Sequence, residues 1–466
     1  MNMTATATPG QDTPAPVDAR FLGHPAGLGW LAFCELWERF SYYGMQALLV
    51  IYLSNYLFMP ENIGNVAGMH ALREAIESVT GPRSTQQLAS AVFGLYAGFV
   101  YLTPLFGGLL ADRWLGRTRT VVTGASLMAL GHFLMAFEAS FLLALLCLLL
   151  GGGCFKGNIA TQVGELYTGD DPRRADAFQI YMFGIQLAVI ASPLVCGTLG
   201  ETVGWHWGFG AAGVGMLVGL ALYLVGRPDL PVEPRGRAGG ATRSALAPHE
   251  KRTIALLIGL LPVLALALVG TMQIFNAYLL WAEQTFNLSY FGHTVPVTWL
   301  LTLDAILSAA TIAGSVVFWK WWARRWREPA DITKMTLGAL IAAAGPLVLA
   351  VAAWVAQTQG TRVGLGWALA FALCVDTGFA NVFTVGLALY SRCAPSALRG
   401  LIVGVYYLQL FLANMLVGWL GGLLERMSGV KFWLLHAGLI GLAALGLAVM
   451  RPAFMRALPD TSASPA

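Results

Sequence analysis

The sequence predicts an all-α membrane protein with twelve transmembrane helices in two six-helix bundles, and three observations support this fold. First, 57% of the 466 residues are hydrophobic and only 11% are charged, with a mean hydropathy of +0.66, whereas soluble domains carry about 25% charged residues. Second, apolar runs of roughly 20 residues, the length a helix needs to cross a bilayer, recur twelve times. Third, one Pro, Gly and Arg-rich stretch separates six of these runs from the other six.

Each apolar run is long enough for one membrane span, and the polar stretches between them set the domain limits. The spans lie near residues 27–58, 86–112, 118–139, 141–168, 174–200, 204–226, 253–285, 294–323, 332–358, 363–394, 397–424 and 430–454. The predicted order is a disordered N-terminal tail, a first bundle, a cytoplasmic linker, a second bundle and a C-terminal tail, over residues 1–23, 24–226, 227–252, 253–456 and 457–466.

The distribution of basic residues predicts the orientation, because cytoplasmic loops accumulate Lys and Arg. With both termini inside, 21 of the 28 Lys and Arg residues fall on cytoplasmic segments, five fall outside, and only Arg39 and Lys156 fall within the membrane. We therefore expect a multi-pass protein with cytoplasmic termini.

Span 1 carries charge where a lipid-facing helix would have none. Glu35, Glu38, Arg39, Tyr42 and Gln46 are spaced at i, i+3, i+4, i+7 and i+11, which places them on one helix face. A charge at the bilayer centre costs at least about 2.5 to 3.5 kcal/mol, so such groups pair or line a water-filled pathway. We expect this face to line a functional cavity, although a buried ion pair that only joins helices is the alternative.

Motifs throughout the chain resemble one family. ELWERFSYYGMQALLVIYL in span 1, GGLLADRWLGRTR after span 2, LGGGCFKGNIATQVGELY in span 4, FGIQLAVIASPL in span 5 and APSALRG before span 11 are similar to signatures of the proton-dependent oligopeptide transporter family. This family, also called the peptide transporter family, belongs to the major facilitator superfamily. The chain resembles its bacterial members.

The resemblance implies a proton-driven symporter for di- and tripeptides in the bacterial inner membrane. It implies no cofactor, protons as the coupling ion, no nucleic-acid partner and function as a monomer in the lipid bilayer. The residues that match the family's proton-coupling positions are Glu35, Glu38, Arg39, Lys156 and Glu283. Those that match its substrate-binding positions are Arg39, Tyr42, Tyr43, Tyr101, Lys156, Asn158 and, in place of the usual Asn, Gln186.

Several positions depart from the family pattern. Gln46 stands where the family usually has Arg, and the glutamate of span 10, which anchors the peptide ammonium, falls on Phe379. Two intramembrane aspartates, Asp304 in span 8 and Asp376 in span 10, are candidates to replace that anchor. The alternative for Asp304 is a helix-end carboxylate solvated by water.

Three functions remain open from the sequence. Peptide–proton symport is the first, and the same fold carrying a different small solute, such as nitrate, an amino-acid derivative or a drug-like acid, is the second. A non-transporting membrane receptor or enzyme is the remote third, since no HExxH, GxSxG or phosphate-loop motif occurs. We expect no enzymatic activity.

Overall fold

A computed structural model describes residues 19–168, 171–231, 247–290, 292–395 and 398–457. Most of the predicted linker and most of both predicted tails lie outside these residues. The helices are α1 Ala26–Tyr52, α2 Met69–Thr80, α3 Thr85–Leu110, α4 Arg117–Leu134, α5 Phe141–Glu165, α6 Arg173–Ser192, α7 Trp205–Gly226, α8 Pro248–Ala267, α9 Val269–Met272, α10 Ala277–Thr285, α11 Trp299–Ala323, α12 Asp331–Gln359, α13 Gly366–Cys393, α14 Arg399–Gly421 and α15 Gly429–Ala457. Two short strands, β1 Ser289–Tyr290 and β2 His293–Thr294, pair antiparallel.

Helix lengths confirm the predicted fold class. Within the described ranges, twelve α-helices have 18 residues or more. Nine helices of the described chain are long and apolar enough to cross a membrane, and the bent pair formed by α8 with α9 makes a tenth. The helices α1 and α4, which carry charged residues, complete the twelve.

The long helices pack as two groups. In the first half, α1 packs on α6 and α7, while α5 packs on α3 and α4. In the second half, α12 packs on α13 and α15, and α11 packs on α13. The long helices therefore form two groups, which meet along α3 and α14 and share part of their apolar core.

The bundle has two ends, which we name by their loops. The linker end holds the start of α1 and the end of α7, where Arg20 Nη2 lies 2.6 Å from Asp229 Oδ1. The distal end holds the end of α1 and the start of α5, where the Tyr56 hydroxyl donates to Glu138 over 2.6 Å.

Side chains join the two halves near the distal end. Asn55 Nδ2 donates to Glu283 over 3.0 Å, and Arg426 Nη2 donates to Gln87 over 3.1 Å. Ser84 also bonds Glu425 there. Since the inter-half hydrogen bonds found among the described residues all lie in this region, the structure is closed at its distal end.

Close packing of α3 on α14 adds to this closure. A Cβ atom at Gly94 would collide with the backbone of Gly418, so these two helices approach each other more closely than larger side chains permit. Small residues allow such backbone contact between membrane helices. The glycines therefore let two helices from different halves seal against each other.

The seventh span is broken. It bends first between α8 and α9, where α8 meets the segment Val269–Phe275 at 51°. It breaks again between α9 and α10, where Asn276 leaves helical geometry with φ −125° and ψ −115°. Gln273 Nε2 bonds His436 Nε2 over 2.9 Å, while Asn276 Nδ2 donates to the Val417 carbonyl over 3.1 Å. These side-chain bonds to α14 and α15 fix the break, and the ring of Phe275 lies 6.2 Å from that of Tyr43 in the first half.

Candidate functional site

The charged residues of α1 form one compact cluster. Arg39 Nε lies 2.8 Å from Glu35 Oε1 and 2.7 Å from Glu38 Oε2. Glu38 is fully buried, and Glu35 and Arg39 are 2% and 9% exposed. One guanidinium thus lies between two carboxylates. When all three groups are ionised, the cluster has a net charge of −1.

Lys156 of α5 supplies the other cation. Its Nζ lies 3.9 Å from the centre of the Tyr42 ring, a cation–π contact, and it interacts electrostatically with Glu35 and Glu38. In the described part of the chain, Lys156 has no carboxylate within 4.0 Å. Because Lys156 is only partly buried and makes no direct ion pair with these residues, its ammonium can bind an anion.

Several polar atoms of this cluster lack a hydrogen-bond partner. They are Glu35 Oε2, Glu38 Oε1 and the hydroxyl of Tyr42, each of which is buried. Buried polar atoms in native proteins are normally satisfied, so unpaired ones call for an explanation such as a ligand, water or proton. The cluster therefore has spare capacity for both a proton and a polar ligand.

Tyrosines connect this cluster to the second half. The rings of Tyr42 and Tyr43 meet edge to face with centroids 5.1 Å apart. Tyr101 of α3 belongs to the first half but packs against the apolar core of the second half. Tyrosine side chains therefore connect the α1 cluster to the second half.

Two carboxylates lie in the second half and have the charge opposite to that of Arg39 and Lys156. Asp304 of α11 interacts electrostatically with Asp376 of α13, and the Ser308 hydroxyl lies near Asp376. Asp376 is 1% exposed, and one carboxylate oxygen of each aspartate is buried without a hydrogen-bond partner. No Lys or Arg forms an ion pair with either aspartate in the described ranges. Such a pair favours a bound cation or a proton.

Phe379 lies on α13 within an aromatic group. Its ring stacks on Phe383 at 4.8 Å, and Phe383 lies 5.5 Å from Tyr406. The position aligned with the family's glutamate is thus apolar here, one turn after Asp376. Any acidic anchor in this region comes from the two aspartates.

The remaining predicted residues are not all part of these clusters. Asn158 donates to the Cys154 carbonyl over 2.8 Å and to the Gly107 carbonyl over 3.5 Å, so it contacts the backbone of α5 and α3. Gln186 is partly buried on α6. Glu283 lies at the distal end, where it accepts from Asn55 and is partly exposed.

Three further polar residues were not among those predicted from the sequence. Tyr181 interacts electrostatically with Glu35, and Tyr96 with Glu38. Glu201 bonds the second half across the distal end. Glu201 falls between the predicted spans 174–200 and 204–226, where a carboxylate is not conspicuous, and a single tyrosine in an apolar helix gives no signal either.

The family follows from a sequence match. A family model described as the POT family matches residues 118–236 and 247–434, which is more than half of the chain. The chain belongs to the POT family. The resemblance read from the motifs is thereby confirmed, and the protein is a multi-pass integral membrane transporter.

Individual relatives of this POT-family chain are transporters. It is 31% identical over 490 residues to the peptide transporter YePEPT of Yersinia enterocolitica, covering 90% of each chain. It is 29% identical over 455 residues to a di-/tripeptide transporter of Lactococcus lactis, covering 83% of this chain and 87% of the other.

Solved structures of POT transporters share the fold. The crystal structure of a peptide transporter POT in complex with sulfate matches with a TM-score of 0.81 at 24% identity, covering 95% of this chain and 98% of that one. A mutant form of a peptide transporter POT in complex with alafosfalin matches with a TM-score of 0.79 at 25% identity, with the same coverage. The backbone agreement extends over both halves of the POT-family fold.

Proposed function

We propose that this protein is a proton-coupled symporter that imports di- and tripeptides by alternating access. The observation that carries the proposal is the separation of charge between the halves. Arg39 and Lys156 provide cations from the first half, while Asp304 and Asp376 provide anions from the second. A peptide zwitterion, which has one carboxylate and one ammonium, requires opposite charges of this kind, since each group is costly to strip of water unless paired.

The side chain of the peptide needs little specific recognition at such a site. Tyr42, Tyr43 and Tyr101 offer hydroxyls, and Phe275 with Phe379 offers apolar surface. Charges at both ends would set the length and orientation of the peptide, and apolar contacts would tolerate different side chains. Broad selectivity among short peptides follows.

Coupling can use the same charges. Ionised Glu35 and Glu38 compete with the substrate carboxylate for Arg39 and Lys156. Protonation of one glutamate removes its negative charge and so weakens its competition with the substrate carboxylate. Binding of the proton and binding of the peptide therefore favour each other. Moving one charge through 100 mV supplies about 2.3 kcal/mol, enough to drive accumulation.

Alternating access would be a rocking of the two halves around the site. We place the linker end and both termini in the cytoplasm of a bacterial inner membrane, so that a structure closed at its distal end faces inward. The protein would function as a monomer in the bilayer, without a cofactor and without a nucleic-acid partner.

Glu283 is the candidate coupling residue nearest the outside, and its replacement tests proton coupling. It accepts a hydrogen bond from the neutral Asn55 amide, and no Lys or Arg of the described residues forms an ion pair with it. We expect Glu283→Gln to lose at least about tenfold in the peptide accumulation that a pH gradient drives. Peptide exchange without a gradient should remain.

The measurement is uptake of labelled dialanine into proteoliposomes with and without an imposed pH gradient. Glu74→Gln is the matched control, since that carboxylate is 70% exposed at the distal end. Protonophore-sensitive accumulation by the unmodified chain supports symport. Undiminished accumulation against a gradient by Glu283→Gln would rule out a proton role for Glu283.

A different small solute is the second candidate. Gln46 and Phe379 remove an arginine and a glutamate that the family usually has, and the Phe379–Phe383 stack fills the second of these places with apolar surface. If nitrate, an amino-acid derivative or a drug-like acid displaced labelled peptide better than other peptides do, this candidate would replace the first.

A further inference from the structure

Glu201 makes the densest set of hydrogen bonds between the two halves in the part of the chain that the structure describes. It lies in the π-helical turn Leu199–Val203 that extends α6, and it reaches the segment before α11. Its Oε2 accepts from the Val297 amide over 2.8 Å. Its Oε1 accepts from the Thr298 amide over 3.0 Å and from the Thr298 hydroxyl over 2.6 Å.

These bonds make Glu201 a helix cap supplied by the other half. The first amides of a helix have no partner within it, and its N-terminus carries partial positive charge. The Trp299 amide donates to the Pro296 carbonyl over 3.1 Å, so the turn that leads into α11 begins at Pro296, and the amides of Val297 and Thr298 have no partner inside it. Both of these amides donate to the Glu201 carboxylate. An ionised acceptor strengthens such bonds.

Neighbouring contacts extend this interface between the C-terminal end of α6 and the start of α11, which we call the seam. Trp299 Nε1 donates to Thr198 Oγ1 over 2.8 Å, and Thr302 Oγ1 donates to the Ile190 carbonyl over 2.8 Å. A Cβ atom at Gly197 would collide with the Thr298 side chain, so the backbones are also close. The seam is therefore packed as well as hydrogen-bonded.

Other inter-half contacts are individually smaller. Glu283 of α10 accepts from the neutral amide of Asn55, which lies in the turn Leu53–Leu57 after α1, at 3.0 and 3.3 Å. Arg426 donates one bond to Gln87, and Ser84 donates one bond to Glu425. With three bonds, Glu201 accepts more hydrogen bonds from the other half than any other described side chain.

The distal solvent reaches this seam. A cavity of about 330 Å³ is lined by residues that include Glu201, Glu283 and Arg362. The two glutamates interact electrostatically. Because Glu201 borders an open cavity that is also lined by Glu283 and Arg362, water can reach its carboxylate when the seam parts.

We propose that Glu201 is a positioning residue for transport, a latch that holds the distal end closed by capping α11 from the opposite half. The latch forms in the structure described here and must open for the distal end to accept substrate. This inference rests on the proposed alternating access. It assigns Glu201 no contact with the substrate.

The test is a distance measurement between the halves with Glu201→Gln. The glutamine side chain is nearly the same size as glutamate but has no charge. Its NH₂ group is a donor, so it cannot accept at least one of the three hydrogen bonds that the Glu201 carboxylate accepts. Spin labels at Val79→Cys and Gln359→Cys, both exposed at the distal end, report its width after Cys374 and Cys393 are replaced by Ala. We expect the wide-distance population to rise at least about threefold.

Glu138→Gln is the matched control. Glu138 also lies at the distal end and accepts two side-chain bonds, from Tyr56 at 2.6 Å and Asn65 at 2.7 Å, but both donors belong to the first half. We expect its distance distribution to match that of the unmodified chain. If Glu201→Gln folds poorly, Thr298→Val removes one donor and should shift the population in the same direction by a smaller factor.

Peptide binding and uptake in the same preparations separate the two proposals. We expect Glu201→Gln to bind dialanine within about twofold of the unmodified affinity while its distal end opens more often, a split that a merely misfolded variant would not show. Unchanged distances for both Glu201→Gln and Thr298→Val would overturn the latch. Absence of peptide uptake by the unmodified chain would overturn the proposed cargo and leave the distance result standing.

Discussion

Arg39→Ala should abolish peptide transport and destabilise the protein by about 3 to 5 kcal/mol, the usual effect of removing one partner from a buried ion pair. The guanidinium lies within 2.8 Å of both Glu35 and Glu38, which are almost completely buried. Without it, two carboxylates face only Lys156, and the substrate carboxylate loses one of its two proposed cations.

Dialanine uptake and thermal unfolding in detergent measure both effects. Arg39→Lys is the matched variant, because it keeps the positive charge but replaces the planar guanidinium with a compact ammonium. We expect Arg39→Lys to fold and to transport poorly. Adding Glu38→Gln to Arg39→Ala should recover part of the stability but no transport. Uptake at the unmodified rate by Arg39→Ala would refute the role of this cluster.

Asp376→Asn should weaken peptide binding by roughly 10- to 150-fold, which corresponds to about 1.5 to 3 kcal/mol for a charged hydrogen bond. Asp376 is 1% exposed, has an unpaired oxygen, and has no ion-pair partner among the described residues. If it holds the peptide ammonium together with Asp304, removing its charge should also reduce the preference for a free amino group.

Competition by dialanine and N-acetyl-dialanine in binding measurements reads out this preference directly. The unmodified chain should strongly prefer dialanine, whereas Asp376→Asn and Asp304→Asn should narrow the difference. Ser308→Ala, which removes a hydroxyl near Asp376 and keeps both charges, is the control. Equal dialanine affinity in the unmodified chain and both aspartate variants would show that the ammonium is held elsewhere.

Most of the fold was accessible from the sequence because membrane spans are long and uniformly apolar. The twelve predicted spans correspond to the long helices, and the polar stretch around residues 227–252 separates two packed groups. The sequence did not reveal α2, which lies in the loop after span 1 and buries only Met69 and Ile76. It also did not reveal the break at Asn276, where side-chain bonds to α14 and α15 fix a backbone that local sequence leaves open.

The polar clusters could be predicted from the sequence where they contain charged residues, because charged residues are rare in membrane spans. Helical spacing placed Glu35, Glu38 and Arg39 on one face, and the structure brings them into direct contact. Spacing cannot show contacts between distant spans, so the approach of Asp304 to Asp376 was not predicted. Nor could it show that Glu201 caps a helix by bonding an amide 96 residues later. The functional roles of all these residues remain predictions.

The choice of cargo is tested most directly by exchange in proteoliposomes loaded with unlabelled dialanine, with labelled dialanine outside and no proton gradient. Di- and tripeptides, single amino acids and nitrate are added as competitors. A peptide transporter predicts rapid exchange that only short peptides with free termini suppress. No exchange, or suppression by nitrate or single amino acids and not by peptides, would contradict peptide transport by this protein.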